Sequence, residues 1–254
     1  MKVSILASGS KGNSSYVEAD GHNILIDIGV NSLVIDRKLK EHGISSKDID
    51  IVLLTHTHSD HINGLASFLK KNKPTIYLTE KMYKELSKTI DIPNYIIIKD
   101  SIELNSLSIK LFNTSHDAEE SFGFLFEHDD KSLVYITDTG YINAKYHKIL
   151  SNRSMYVMES NHDVELLING PYPHYLKQRI ISDNGHLSNH DASNYLSNFI
   201  GEKTKAIILI HLSETNNKPE IALESLIDTL NKKNKKVDKI VVALQDQKTE
   251  LIEV

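Results

Sequence analysis

Apolar positions in this chain fall into short runs rich in β-branched residues, punctuated by clusters of Gly, Ser and Asn. On that pattern VSILA (3–7), SYVEA (15–19) and NILIDIG (23–29) read as strands. DIVLLTH (50–56) is almost unbroken, as expected of a strand buried on both faces. TIYLT (75–79), NYIIIK (94–99), LSIKLFN (107–113), FGFLFE (122–127) and SLVYITD (132–138) continue the series, and HDDK (128–131) is a hairpin turn between the last two. MYVMES (155–160), AIILIHL (206–212), KIVVALQ (239–245) and TELIEV (249–254) complete it. A helical spacing of apolar residues predicts helices over 32–42, stopped by Gly43, and near 61–71, 80–90, 142–150, 162–169, 173–181, 189–200 and 219–233. Strands and helices alternate in both halves and no Gly/Ser/Pro linker divides them, so residues 1–254 form one layered α/β domain. IVLLTHTH and AIILIHLS echo one another faintly, each an apolar strand that delivers a histidine at its end.

Composition narrows the chemistry. Hydrophobic residues make up 40% and charged residues 25%, the balance of a globular protein with ample core. The net charge of −5 argues against a wholly basic nucleic-acid binder. The absence of cysteine excludes disulfide scaffolds, thiolate metal sites and cysteine nucleophiles together. Histidine, by contrast, occurs 13 times, so any bound metal must take imidazole and carboxylate ligands. The N-terminal apolar run is shorter than the ~7–15 residues of a signal-peptide core, and no stretch reaches the ~18–20 of a membrane span. The expectation is a soluble, cytoplasmic protein without a membrane partner.

The strongest chemical signal is THTHSDH, which places His56, His58, Asp60 and His61 directly after a buried strand. Residues two apart in extended chain point the same way, so His56 and His58 can grip one cation while the turning loop offers Asp60 and His61 to another. Asp27, His116, Asp138 and His211 each follow an apolar run, at positions where a sheet presents ligands to a shared crevice. Singly each is an ordinary cap or turn residue; jointly they fit a binuclear centre. The loop from Ser8 to Ser14, which includes Ser10 and Asn13, is small and polar, and its backbone donors suit either a β-turn or an anion nest. Asn161 and His162 can reach the substrate side of the cleft or cap the following helix, and Ser188 of GHLSN can likewise bind substrate or, with Asn189 as the alternative, serve as the N-cap of the next helix. The lysines of NKKNKKVDK (231–239) read as a solvated helix end.

The order Asp27, H-x-H-x-D-H at 56–61, His116, Asp138 and His211 resembles the metallo-β-lactamase superfamily. SILASGSKGNSSYVE, ESNHD, GHLSN and HLSETNN resemble the YycJ/WalJ group within it, over essentially the whole chain. That resemblance implies a four-layer αββα sandwich with metal at the edge of two sheets. It implies His56, His58 and His116 for a first metal, Asp60, His61 and His211 for a second, and Asp138 as the bridge. Asp27 would orient a ligand imidazole. The implied cofactors are two divalent ions, zinc, manganese or iron, which ~3.5–4 Å apart share a water, lower its pKa and stabilise charge developing on an attacked phosphodiester. Asp60 and Asp138 take part in that chemistry, and His186 of GHLSN is the expected proton donor to the leaving oxygen. The implied partner is DNA, cut from its ends. Only 72 residues separate Asp138 from His211, too few for the large inserted cap of the β-CASP nucleases. Two other readings share the motif: a glyoxalase-II-like hydrolase of a small ester, thioester or lactone, and a metal-bound regulatory protein without turnover. Antibiotic hydrolysis is disfavoured, because many class B enzymes use a cysteine ligand.

Overall fold

A computed structural model describes residues 1–254. The chain begins with an antiparallel meander, β1 (Lys2–Ala7), β2 (Ser14–Ala19) and β3 (His22–Ile26). Helix α1 (Ser32–Lys40) leads to β4 (Ile51–Leu53), then α2 (Ser59–Ile62) and α3 (Leu65–Leu69) lead to β5 (Thr75–Leu78), and α4 (Glu80–Leu86) to β6 (Tyr95–Ile97). These strands add in parallel to β3. The second half repeats the plan. An antiparallel meander of β7 (Ser101–Leu104), β8 (Leu107–Asn113), β9 (Phe122–His128) and β10 (Lys131–Ile136) is followed by α5 (Ala144–Leu150) and β11 (Met155–Glu159). Helices α6 (Val164–Asn169), α7 (His174–Ile181) and α8 (Asn189–Phe199) precede β12 (Ala206–Ile210), and α9 (Pro219–Lys232) precedes β13 (Lys239–Val242). From β10 onward the pairing is parallel. A last short strand, β14 (Ile252–Glu253), returns to the first sheet beside β1. The sheet orders are β14-β1-β2-β3-β4-β5-β6 and β13-β12-β11-β10-β9-β8-β7.

Alternation along the strands decides the layers, because successive side chains point to opposite faces. Ile5, Val17, Ile24, Ile26 and Leu53 of the first sheet join Ile109, Phe124, Phe126, Val157 and Ile208 of the second in one buried cluster between the sheets. Their neighbours Leu6, Tyr16, Leu25, Val52 and Ile76 face outward and are covered by Ile35, Leu39, Phe68 and Met82 of the helices. On the other side Val134, Tyr156, Ile207 and Leu209 are covered by Leu196, Phe199, Leu226 and Leu230. Three apolar layers between four structural ones make the expected αββα sandwich. No helix is long and apolar enough to cross a membrane. Within NKKNKKVDK, Lys233 and Lys235 donate to Asn198 and to the carbonyl of Ile200 at the end of α8.

Several boundaries differ from those the sequence predicts. The helix expected near 61–71 is two short ones, because Gly64 donates to the carbonyl of Ile28 at 2.8 Å and packs where a Cβ would lie 1.9 Å from the Val30 oxygen. DIVLLTH pairs only over Ile51–Leu53, since Thr55 turns its backbone N–H to the Asp27 side chain. SIEL forms β7 although its mixed polarity gave no strand signal, and TELIEV pairs only at its end. The two strands of the faint echo hold different places: β4 is the first parallel addition to its meander, and β12 is the second. By topology β3 corresponds to β10. Each leads into an aspartate in left-handed backbone, Asp27 directly after β3 at φ 61° and Asp138 one residue further on, after Thr137, at φ 49°. His211, directly after β12, has φ 57°. Asp is among the few side chains that tolerate this region, at a cost of order 1 kcal/mol per residue. The three turns bring Asp27, Asp138 and His211 to the same edge of the sandwich.

Candidate metal centre

Each strand end delivers one part of the site. After β4 the chain leaves the ladder, and His56 and His58 project from the loop before α2, which itself carries Asp60 and His61. His116 comes from the loop between β8 and β9, Asp138 from the end of β10 and His211 from the end of β12. The structure brings these seven residues together. The donor atoms of His56, His58 and His116 lie within 4.8 Å of one another, as do those of Asp60, His61 and His211, and those of His56, His61 and Asp138. Asp138 lies between the triads, with Oδ2 3.2 Å from His61 Nε2 and Oδ1 3.8 Å from His116 Nε2.

The imidazoles are turned by their outward nitrogens. His61 Nδ1 is 2.7 Å from Asp27 Oδ2, His211 Nδ1 is 2.8 Å from Glu159 Oε1, and His116 Nδ1 is 3.3 Å from the Gly185 carbonyl. Donation from Nδ1 fixes the tautomer and leaves Nε2 as a lone-pair donor directed inward. Thr55 holds Asp27 in place with two bonds of 2.8 Å, one from its N–H and one from its hydroxyl. His58 differs, presenting Nδ1 at 3.3 Å from His116 Nε2. His56 is fully buried, and its Nε2, like that of His211, has no hydrogen-bond partner. A buried ring nitrogen left without a partner is costly unless a cation takes its lone pair. Two such atoms, one per triad, beside buried carboxylate show that the donor set fits divalent metal.

Electrostatics without metal shows the same demand. Burial drives His56 well below its ordinary pKa and keeps it neutral. Burial also opposes charge on His61, but Asp138 and Asp27 overcome it and raise that group well above its usual value. For Asp138, burial is outweighed by His211 and His61, which hold it well below the carboxylate range.

One further residue organises the site, and no spacing in the sequence marks it. Glu159, the last residue of β11, is fully buried; its Oε1 takes His186 Nδ1 at 2.7 Å as well as His211 Nδ1. Its Oε2 accepts from the N–H groups of Thr139 and Leu187. Asp138, Glu159, His186 and His211 form a fourth compact set, but both its histidines have Nδ1 committed to Glu159, so it is a hydrogen-bonded cluster. The two histidines hold Glu159 down at about 2 against its burial, and Glu159 in turn raises His186 against the effect of burial. The signal the sequence does carry is the ESNHD motif, whose Glu closes the apolar run of β11.

The motifs ESNHD, GHLSN and HLSETNN prove to be interlocked. Asn217 Nδ2 donates to the carbonyls of Ser160 and Asn161 and to Asn189 Oδ1, and Asn189 Nδ2 returns a bond of 2.8 Å to Asn217 Oδ1. Asn161 Nδ2 donates to the His211 carbonyl at 3.0 Å. These bonds hold Glu159, His186 and His211 on one frame.

A cavity of about 240 Å³ opens over the cluster. His58, His116, Asp138, His186 and His211 line it, with Ser10 and Asn161. Three residues expected at the substrate side are elsewhere. His162 is 2% exposed and does not line the cavity, because it pairs with Ser188 as an isolated β-bridge beneath it. Ser188 is buried as the N-cap of α8, accepting from Asp191 N. Asn13 is buried too, with Nδ2 3.3 Å from Asp60 Oδ2 and 3.1 Å from His61 Nε2, so it positions ligands. Nor is the Ser8–Ser14 loop an open nest, since the N–H groups of Gly9, Gly12 and Asn13 are already bonded to Asn13 Oδ1, Gly9 O and Asp60 O. Ser8 serves the other side, its hydroxyl accepting from His211 N at 2.7 Å.

Residues 22–212 match the family model of the beta-lactamase superfamily domain. The chain belongs to the beta-lactamase superfamily. Within the superfamily it is 39% identical over 236 residues to Exodeoxyribonuclease WalJ of Streptococcus pneumoniae serotype 2, covering 90% of this chain and 88% of that one. It is 36% identical to Exodeoxyribonuclease YycJ of Bacillus anthracis, over 92% and 90% of the two chains. The metallo-beta-lactamase fold protein YhfI from Bacillus subtilis superposes with a TM-score of 0.73 at 16% identity, over 98% of this chain and 99% of that one. The superfamily fold is therefore that expected from the ligand order.

Proposed function

We propose that this protein is a metal-dependent phosphodiesterase that acts on DNA as an exodeoxyribonuclease. The observation that carries the reading is the pair of histidine-containing triads with Asp138 between them, in a chain 39% identical across most of its length to a protein named exodeoxyribonuclease. His56, His58 and His116 would hold one divalent ion, Asp60, His61 and His211 a second, and Asp138 would touch both. Ions bound there supply an activated water and offset the negative charge that grows on an attacked phosphodiester. Zinc, manganese and iron(II) all suit imidazole–carboxylate ligands.

The remaining work falls to the protein's own side chains. His186 lines the cavity but belongs to neither triad. Its Nδ1 is held by Glu159, which favours the protonated ring and leaves Nε2 to give a proton to the leaving oxygen. An alkoxide leaving group needs that proton, whereas a thiolate from a thioester does not. This favours the phosphodiester reading over a thioesterase that uses the same ligands.

End-labelled DNA, bis-p-nitrophenyl phosphate and a thioester, offered to the metal-loaded protein, test the assignment. Cleavage of DNA from its ends and of the diester is expected. Thioester turnover without DNA cleavage overturns it, and no turnover of any of the three favours a regulatory role. His186→Ala should keep its metal in elemental analysis and lose about 10²–10⁴ in kcat. His58→Ala should lose both metal and turnover.

A further inference from the structure

The cavity has one wall that the catalytic cluster does not explain. Tyr172, Leu176, Arg179 and Ile180 line it, and all come from the segment between Gly170 and Gly185 that contains α7. This helix alone among those of the fold buries none of its residues, so it adds nothing to the apolar layers. It is tied down by polar contacts instead. Lys177 Nζ donates to the carbonyls of Ile168 and Gly170, and Arg179 Nε donates to Asp117 Oδ2 at 2.5 Å. Asp117 follows His116 in the chain and stands 3.4 Å from its Nε2.

Arg179 is the one Arg or Lys among the cavity's lining residues. Its side chain remains 57% exposed despite the ion pair. Because Asp117 is engaged through Nε, both terminal nitrogens of the guanidinium fork stay free, the arrangement that grips a phosphate bidentately. Asp117 alone would repel an entering polyanion; paired, it becomes the brace that aims the cation. Tyr172 is the cavity's one aromatic residue other than histidine. A ring beside a cation is the pattern by which single-stranded nucleic acid is held, bases stacking and phosphates pairing. At about 240 Å³ the cavity is small beside the roughly 300–1,000 Å³ of drug-sized ligand sites, too small to admit a duplex.

We infer that the α7 segment is the substrate grip of this enzyme, with Tyr172 stacking on a base of a single-stranded DNA end and Arg179, braced by Asp117, binding a phosphate next to the scissile one. The assignment rests on the exodeoxyribonuclease reading and specifies how that site takes its substrate. Arg179 and Tyr172 are substrate-binding residues, and Asp117 is a positioning residue.

The test compares wild type with Arg179→Gln, Tyr172→Leu and Tyr172→Phe. Arg179→Gln should raise KM for a single strand about 10–100-fold, as for one lost charged hydrogen-bonded contact, with kcat changed far less. Its loss on bis-p-nitrophenyl phosphate, which has no neighbouring phosphate, should be at least about tenfold smaller. Binding of a fluorescein-labelled strand with phosphorothioate linkages gives a readout without turnover. The slope of log affinity against log salt should fall by about 0.7 in Arg179→Gln, the value of one phosphate contact on single-stranded DNA. Asp117→Asn should reduce affinity in the same assay while metal content stays at the wild-type value. Tyr172→Leu should weaken binding about tenfold, and Tyr172→Phe should restore it. Equal losses on DNA and the small diester, or an unchanged KM and salt slope, overturn the assignment while leaving a wild type that digests DNA. A wild type that cleaves no DNA at all overturns the functional reading instead.

Discussion

Glu159 shows how one buried side chain can govern a site it does not itself ligate. It holds Nδ1 of both His186 and His211, so Glu159→Gln removes a charge from the bond that orients a metal ligand and from the one that keeps the candidate acid protonated. Metal affinity is expected to fall about 10–100-fold in chelator competition, and the alkaline limb of the kcat profile should move to lower pH. A residue nearby gives a separate pH prediction. His162 is buried, and burial lowers it from 6.5 to about 4. As pH falls through the unfolded value, the unfolded chain takes up the proton first, so stability present above about 6.5 drains away until about 4. The expected loss over that window is roughly 3 kcal/mol. Urea titrations of the wild type and His162→Gln at neutral and acid pH should show a smaller acid loss in the variant. Equal losses would remove His162 from the account.

At the level of elements, the site depends on close backbone approaches between loops. Gly29 lies where a Cβ would meet the Asp60 carbonyl oxygen at 1.7 Å, and the Ile28 N–H donates to the His61 carbonyl beside it. Gly29→Ala must therefore push α2 away from β3 and carry Asp60 and His61 out of register. Reduced metal content in elemental analysis and a destabilisation of about 1–3 kcal/mol or more are expected. The asparagine clasp is the other such joint. Asn217→Ala strips a donor from two buried carbonyls and from Asn189, and should cost about 2–4 kcal/mol in urea unfolding, with slower turnover as the loops bearing Glu159, His186 and His211 loosen. Helix α8 was legible through its Ser188 cap, whereas the break between α2 and α3 was not. Helix periodicity runs on through Asn63 and Gly64; what divides the helices is the carbonyl of Ile28, distant in sequence.

For the whole molecule, metal and stability are linked. Without ions the ligand set buries two unpartnered imidazole nitrogens, on His56 and His211, and sets Asp60 Oδ2 and Asp138 Oδ2 3.5 and 3.2 Å from the same His61 Nε2. Any divalent ion that fits should stabilise the fold by about 2.7 kcal/mol at a hundredfold excess over its Kd, raising Tm in a concentration-dependent way, and chelation should reverse it. Thermal scans with zinc, manganese and a chelator check this. By itself the sequence determined the strand series, the alternation that makes three apolar layers, and the run of His56, His58, Asp60 and His61, because strand burial and histidine clustering are local properties read at fixed spacing; His116, Asp138 and His211 were marked only by their places after apolar runs and by the family resemblance. Only the tertiary structure decided the roles of Glu159, Asn13, Asn217 and Arg179. Each acts on partners dozens of residues away or more, and its chemistry appears only when loops from both halves meet at one edge. The same packing took His162 and Ser188 out of the cavity, since a polar residue in a motif looks alike from sequence whether it faces solvent or fastens the frame beneath.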